Sequence, residues 1–215
     1  MNLQCVIWDM DGTLIDSTQF HFLAWKNTLA TFFKLDLEEK SFLNIYGMTN
    51  NDILSNCVHD NISKSRKNEI FLYKEKKFRD LIKGQIKFMP GAKYWLEQFD
   101  SFGILQVLAS SAPMENIQAV IWELKLEKIY TTVISGDKLL SKPSPEIYFA
   151  VLKTIRRNIS GCLAIDDSWV GVQAARNIHM KVIGVGRYLH KMKPDIYVSD
   201  LTELSILTIE ECFNN

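Results

Sequence analysis

Asp9 and Asp11 stand two residues apart in the stretch Cys5-Val6-Ile7-Trp8-Asp9-Met10-Asp11-Gly12-Thr13. An apolar run, Leu3 to Trp8, reads as a buried strand that delivers both carboxylates onto a turn at its carboxyl end. Gly12 permits backbone angles there that a side chain would forbid. Two acids beside a buried strand are expensive unless a cation or a reaction uses them. Three further groups share this character: the hydroxyls of Ser110-Ser111, the lysine of Ser141-Lys142-Pro143-Ser144-Pro145, and the acids of Asp166-Asp167-Ser168. Phosphoryl transfer is the chemistry that needs such a set. A carboxylate can act as nucleophile and divide one hard step into two. Magnesium binds one or two carboxylates plus a substrate phosphate. A hydroxyl and an ammonium cradle the equatorial oxygens, where transition-state charge sits.

Taken singly, these groups say little. Paired serines after a strand ordinarily cap a helix, and an acid pair followed by serine can do the same. What gives them weight is their order, with the serines and the acids where apolar runs end and the lysine just before a helix start. In an open α/β sheet, ligands bind outside the carboxyl ends of the strands.

The elements that must carry these groups follow from periodicity. Phe22, Trp25, Leu29, Phe32 and Phe33 recur at helical spacing between Thr18 and Phe33. Further helices are expected over Glu38–Ile45, Asn51–Val58 and Ser63–Lys83, the last with Ile70, Tyr73, Lys77 and Leu81 marking its turns. Residues 17–87 therefore read as an all-helical insertion. Beyond Met89-Pro90-Gly91 the pattern alternates. Buried runs at Ile104–Ala109, Thr132–Ile134, Cys162–Ile165, Lys181–Val185 and Ile196–Val198 are separated by helices over Ala92–Phe102, Met114–Leu124, Pro145–Arg156 and Trp169–Ile178, with a last helix from Ser205. Alternation of this kind predicts right-handed crossovers and a parallel sheet covered on both faces. The fold class is thus α/β, with a core of residues 1–16 and 88–215.

Bulk properties narrow the setting. The chain has 215 residues, 47% hydrophobic and 23% charged, with zero formal net charge. Charge therefore gives no reason to expect a nucleic acid or another polyanion as partner. Cys5, Cys57, Cys162 and Cys212 are scattered, with no pair at metal spacing. That is a reduced, intracellular pattern and not a disulfide framework. No apolar run approaches the ~20 residues needed to span a bilayer, and no signal-peptide pattern opens the chain. A cytoplasmic monomer acting on a small phosphorylated metabolite is expected, without membrane or nucleic-acid partners. From Lys64 to Lys87, nine Lys/Arg face three Asp/Glu, which reads mainly as a solvated helix face. Trp8 beside Asp9 and Trp169 after the acid pair read as packing residues.

On Asp9-Met10-Asp11-Gly12-Thr13, Ser110, Lys142-Pro143 and Asp166-Asp167-Ser168, the chain resembles the haloacid dehalogenase superfamily of hydrolases with a small helical cap. The resemblance runs over essentially the whole length and implies a Rossmann-like core, with the cap hinged near Asp16 and Lys87. By position it implies Asp9 as the nucleophile and Asp11 as the acid that protonates the leaving oxygen and then activates water. Ser110, Ser111 and Lys142 would bind phosphate. Magnesium would sit on Asp9, the backbone carbonyl of Asp11, and Asp167, with Asp166 a further or water-mediated ligand. An acid at position 11 sets the chain apart from the metal-free dehalogenases and from phosphonatases of this superfamily.

Within the family, His21-Phe22-Leu23-Ala24-Trp25-Lys26 resembles the start of the cap in β-phosphoglucomutase-like proteins and their sugar-phosphatase relatives. Gly47-Met48-Thr49-Asn50 falls where their substrate-specificity loop would lie. His21, Trp25, Gly47, Met48 and Asn50 are the implied cap contacts to substrate. Three departures bear on the reaction. Asn50 stands where the mutases present an arginine for a second phosphate, and near Asp80 they would carry a cap lysine. Ala112-Pro113 replaces a polar pair and is closer to hexose and hexitol phosphatases. Hydrolysis of sugar or polyol phosphates is the favoured reading, with a β-phosphoglucomutase-type reaction as the alternative. A non-catalytic regulator sensing a sugar phosphate would be expected to have lost Asp9 or Asp11, and both are present.

Overall fold

The computed structural model describes residues 2–130, 132–186 and 189–214. Six parallel strands form one sheet in the order β3-β2-β1-β4-β5-β6. They are β1 (Cys5–Trp8), β2 (Leu105–Ser110), β3 (Thr132–Ser135), β4 (Cys162–Asp166), β5 (Lys181–Val185) and β6 (Ile196–Val198). Helices α5 (Ala92–Ser101), α6 (Met114–Leu124), α7 (Glu146–Ile155), α8 (Trp169–Arg176) and α9 (Ile206–Asn214) belong to the same unit. The chain builds β1, β2 and β3 outward in one direction, then returns to place β4 on the other flank of β1. β1 and β4 therefore border the switch point where an α/β sheet opens a crevice.

Residues alternate across the sheet with a period of two, and this sets where the acids point. Cys5 and Ile7 of β1, with Cys162 and Ala164 of β4, are buried among Tyr148, Val151, Val172 and Ala175 of α7 and α8. Asp9 and Asp166 continue those two rows. Trp8 goes to the opposite face. It is fully buried there, edge-on to Phe99 at 6.1 Å, with its indole donating to Gln106 Oε1 at 3.0 Å. Each fully buried aliphatic side chain contributes about 1.5–3 kcal/mol, so this double-sided packing holds β1 firmly under its polar end. Trp169 departs from the packing expected of it. As the first residue of α8 it is 58% exposed, because a helix start at the sheet edge turns that side chain away from the core.

Residues 17–85 form a separate compact unit, while 1–16 and 86–215 form the other. At the boundary the chain is held in the sheet-bearing unit by Asp16 N–H donating to Lys87 O at 3.0 Å and Met89 N–H donating to Leu14 O at 2.9 Å. The helical unit contains α1 (Thr18–Phe33), α2 (Glu39–Leu43), α3 (Asn50–Cys57) and α4 (Lys64–Ile82). Phe22, Trp25, Leu29, Phe42, Ile53, Leu54 and Ile70 form its core. Phe32 and Phe33 are only half-buried. The second helix is shorter than expected, because Asn44 to Gly47 close as turns, with Ile45 N–H on Phe42 O.

In α4 the buried face follows the prediction at Ile70 and departs from it beyond. Ile70, Lys74, Glu75, Phe78 and Ile82 are buried, in place of Tyr73, Lys77 and Leu81. Two charged residues thus occupy the apolar stripe, which hid its register from periodicity.

Candidate active site

The turn after β1 is tied to both neighbours. Asp9 N–H donates to Ile165 O at 3.0 Å, extending the β1–β4 ladder by one rung. Met10 O then accepts the N–H groups of Leu14 and Ile15 at 2.9 and 3.0 Å, which closes the loop on itself. Gly12 sits at φ +82°, and a Cβ there would come within 2.2 Å of Asp167 Oδ2. Thr13, fully buried, donates from Oγ1 to Asp167 Oδ1 at 3.0 Å. The acidic turn therefore packs directly on the acid that follows β4.

Asp166 is fully buried and held from two sides. Its Oδ1 accepts from the N–H and hydroxyl of Ser168 at 3.0 and 2.7 Å. The same Ser168 oxygen accepts from Gly171 N–H at 3.0 Å and caps α8. Lys142 Nζ reaches Asp9 Oδ1 at 2.6 Å and Asp166 Oδ2 at 2.7 Å. Its loop is anchored by Leu140 N–H on Glu146 Oε2 at 2.8 Å and Asn177 Nδ2 on Pro143 O at 3.1 Å. Those bonds deliver a long, flexible side chain to one place.

Ligand atoms of Asp9, Asp166 and Asp167 lie within 4.8 Å of one another. Three carboxylates around one ammonium leave two negative charges uncompensated, and the acids respond. Burial, reinforced by Asp166 and Asp167 against the pull of Lys142, lifts the Asp9 carboxyl well above the usual carboxylate range. Asp167 is raised to about 7, by burial first and the Asp166 charge second. Burial works to lower the Lys142 ammonium, yet Asp166 and Asp9 outweigh it and hold it well above its ordinary value. A divalent cation supplies the missing two charges with oxygen ligands, so the donor set fits magnesium.

The remaining sequence-predicted residues fall into two groups. Ser110 ends β2 beside β1, buried, with its hydroxyl accepting from Ala112 N–H at 3.1 Å, whereas Ser111 is exposed. Asp11 lies in the turn and bridges Ile15.

In the helical unit, His21 stacks on Phe78 at 4.2 Å between ring centroids. Its Nδ1 lies 3.0 Å from Lys74 Nζ. An ammonium can only donate, so Nδ1 is the acceptor in this contact. Lys74 also pairs with Glu75 Oε1 at 3.0 Å, and the Asn50 amide donates to the same oxygen at 2.8 Å. Trp25 is fully buried in the unit's core, Met48 is 47% exposed, and Gly47 takes φ +86° with open space beside it.

Sequence reasoning missed Lys74 and Glu75. Their signal was a four-residue step, Ile70, Lys74, Phe78, Ile82, with a lysine where an apolar residue belongs. Removing one partner of a buried ion pair leaves the other charge uncompensated. Lys74→Met is therefore expected to destabilise the protein by about 3 kcal/mol, measured by urea unfolding. A loss below a tenth of that would mean the pair is effectively solvated.

Comparison with known proteins identifies the family of the chain and relatives of the same fold. The haloacid dehalogenase-like hydrolase family matches residues 6–185. The β-phosphoglucomutase of Bacillus subtilis is 24% identical over 97% of this chain and 95% of its own. A phosphorylated carbohydrates phosphatase of Thermotoga maritima is 26% identical over 99% and 97%. In fold, a HAD hydrolase of family IA, variant 3, from Entamoeba histolytica superposes with a TM-score of 0.89, covering 99% of this chain and 100% of that one at 23% identity.

Proposed function

The chain belongs to the haloacid dehalogenase-like hydrolase family, and from that premise we propose that it is a magnesium-dependent phosphatase of sugar or polyol monophosphates. The observation that carries the reading is the contact of Lys142 Nζ with Asp9 Oδ1 at 2.6 Å, beside Asp166 and Asp167. In this reading Asp9 attacks phosphorus and forms an aspartyl phosphate as the bond to the ester oxygen breaks. Asp11 gives that oxygen a proton, then takes one from the water that opens the acyl phosphate. Lys142 and Ser110 hold equatorial oxygens. Asp9, Asp167 and the backbone carbonyl of Asp11 would hold magnesium, which supplies charge neutralisation for an anionic nucleophile meeting an anionic phosphoryl group. EDTA is expected to abolish release of phosphate from p-nitrophenyl phosphate, and excess magnesium to restore it. Full activity in chelator overturns the metal dependence.

Hydrolysis is preferred over mutase chemistry on one specific observation. Asn50, where an arginine would grip a second phosphate, is instead bound to the Glu75 carboxylate. A bidentate arginine–phosphate contact is charge-assisted and strong, and neither Asn50 nor Glu75 can supply one. The similarity to β-phosphoglucomutase keeps the mutase as the competing reading. β-Glucose 1-phosphate with a trace of the 1,6-bisphosphate and magnesium separates the two. Free phosphate is expected to exceed glucose 6-phosphate. Glucose 6-phosphate forming many times faster than phosphate overturns hydrolysis. A panel of sugar, polyol and nucleotide monophosphates then ranks the leaving groups.

A further inference from the structure

Tyr148 lies on the face of α7 that packs under the site, and it is 2% exposed. No step of the proposed reaction uses it. Its hydroxyl donates towards Asp166 Oδ2 at 3.4 Å, with Gly171 O at 3.5 Å as a second acceptor. Lys142 Nζ, bonded to that same Asp166 oxygen, lies 5.9 Å from the Tyr148 ring centroid. Phenol, carboxylate and ammonium thus form one closed group. Ser168 occupies Asp166 Oδ1 with two donors, while Tyr148 and Lys142 share Oδ2. Protein donors therefore reach both oxygens of Asp166. Asp167 takes a hydroxyl on Oδ1 from Thr13.

We propose that Tyr148 is a positioning residue that acts through Asp166 to set the Lys142 ammonium on the phosphoryl oxygens. The hydroxyl supports the carboxylate from below, the ring closes one side of the ammonium, and Lys142, bonded to Asp9 and Asp166, is left one direction in which to offer its remaining proton. This rests on the phosphatase reading, because it assigns Lys142 to phosphate.

Phenylalanine at this position keeps the ring and the packing and removes only the hydroxyl. Titration calorimetry of Tyr148→Phe with magnesium chloride, and with inorganic phosphate in saturating magnesium, separates the two ligands without turnover. Phosphate is expected to bind about fivefold more weakly, the size of an ordinary net hydrogen bond because this one is long, and magnesium within twofold of wild type. The Michaelis constant for p-nitrophenyl phosphate should rise by a similar factor, with kcat changing less. In an Asp166→Ala background, which leaves no side-chain acceptor, the same substitution should have no further effect on phosphate binding, since its route is gone. Unchanged phosphate affinity in Tyr148→Phe, an equal loss of magnesium affinity, or additive losses in the double variant would each overturn the proposal. If the double variant does not fold, the single substitution decides. Wild-type protein that binds neither ligand and hydrolyses no ester would instead sink the phosphatase reading itself.

Discussion

Asp9→Asn is expected to fold as the wild type does and to lose at least four orders of magnitude in turnover, roughly the scale seen when a nucleophile is removed. The amide matches the carboxylate in shape, so the extension of the β1–β4 ladder through Asp9 N–H is preserved. What disappears is the oxygen nucleophile, because an amide cannot form the acyl phosphate. Stability should not suffer in parallel. Burial already penalises the charged form of Asp9, and the substitution removes one of three carboxylates crowded around Lys142. Initial rates on p-nitrophenyl phosphate at saturating magnesium, with a thermal melt of the same preparation, check both halves. Activity within tenfold of wild type would remove Asp9 from the role, and a collapse in melting temperature would make the rate loss uninformative.

Much of this arrangement was legible from residue order, because the groups at the strand ends obey local rules. Asp9, Lys142 and Asp166 sit at the ends of apolar runs or before a helix start, and a parallel sheet gathers such ends on one edge. The period of two even settles which acids share a face: Asp9 follows Cys5 and Ile7, and Asp166 follows Cys162 and Ala164. What escaped is whatever depends on tertiary contact. In sequence Lys74 and Glu75 read as part of a solvated basic face, yet they pair inside the helical unit. No composition rule distinguishes a buried lysine from the exposed ones beside it. Trp169 reads as a packing residue from its sequence, while its place at a helix start leaves it exposed. Tyr148 lies on the buried face of α7, and only its distance to Asp166 gives the hydroxyl a use.

Gly171 is a further residue that sequence alone would misjudge. It lies in α8 (Trp169–Arg176), where alanine is the better helix former by about 1 kcal/mol. On that ground Gly171→Ala should stabilise the protein. The structure reverses the sign. A Cβ at 171 would stand 1.9 Å from Asp166 Oδ2 and 2.0 Å from both Cγ and Oδ1, against the roughly 3.5–4.0 Å of a good carbon contact. Asp166 cannot yield without cost, because Ser168 and Lys142 hold its two oxygens. Either the carboxylate rotates and releases Lys142, or α8 lifts from β4 and carries Ser168 with it. Overpacking of this kind costs about 1–3 kcal/mol. An ångström of displacement at a reacting group costs about a hundredfold in rate. Gly171→Ala is therefore expected to lower the melting temperature and to reduce kcat/KM by about two orders of magnitude. The decisive measurement repeats the substitution in an Asp166→Ala background, where the carboxylate is gone. There the helix propensity should prevail and Gly171→Ala should raise stability relative to its parent. The same destabilisation in both backgrounds would mean that the glycine is required by something other than the close approach of Asp166.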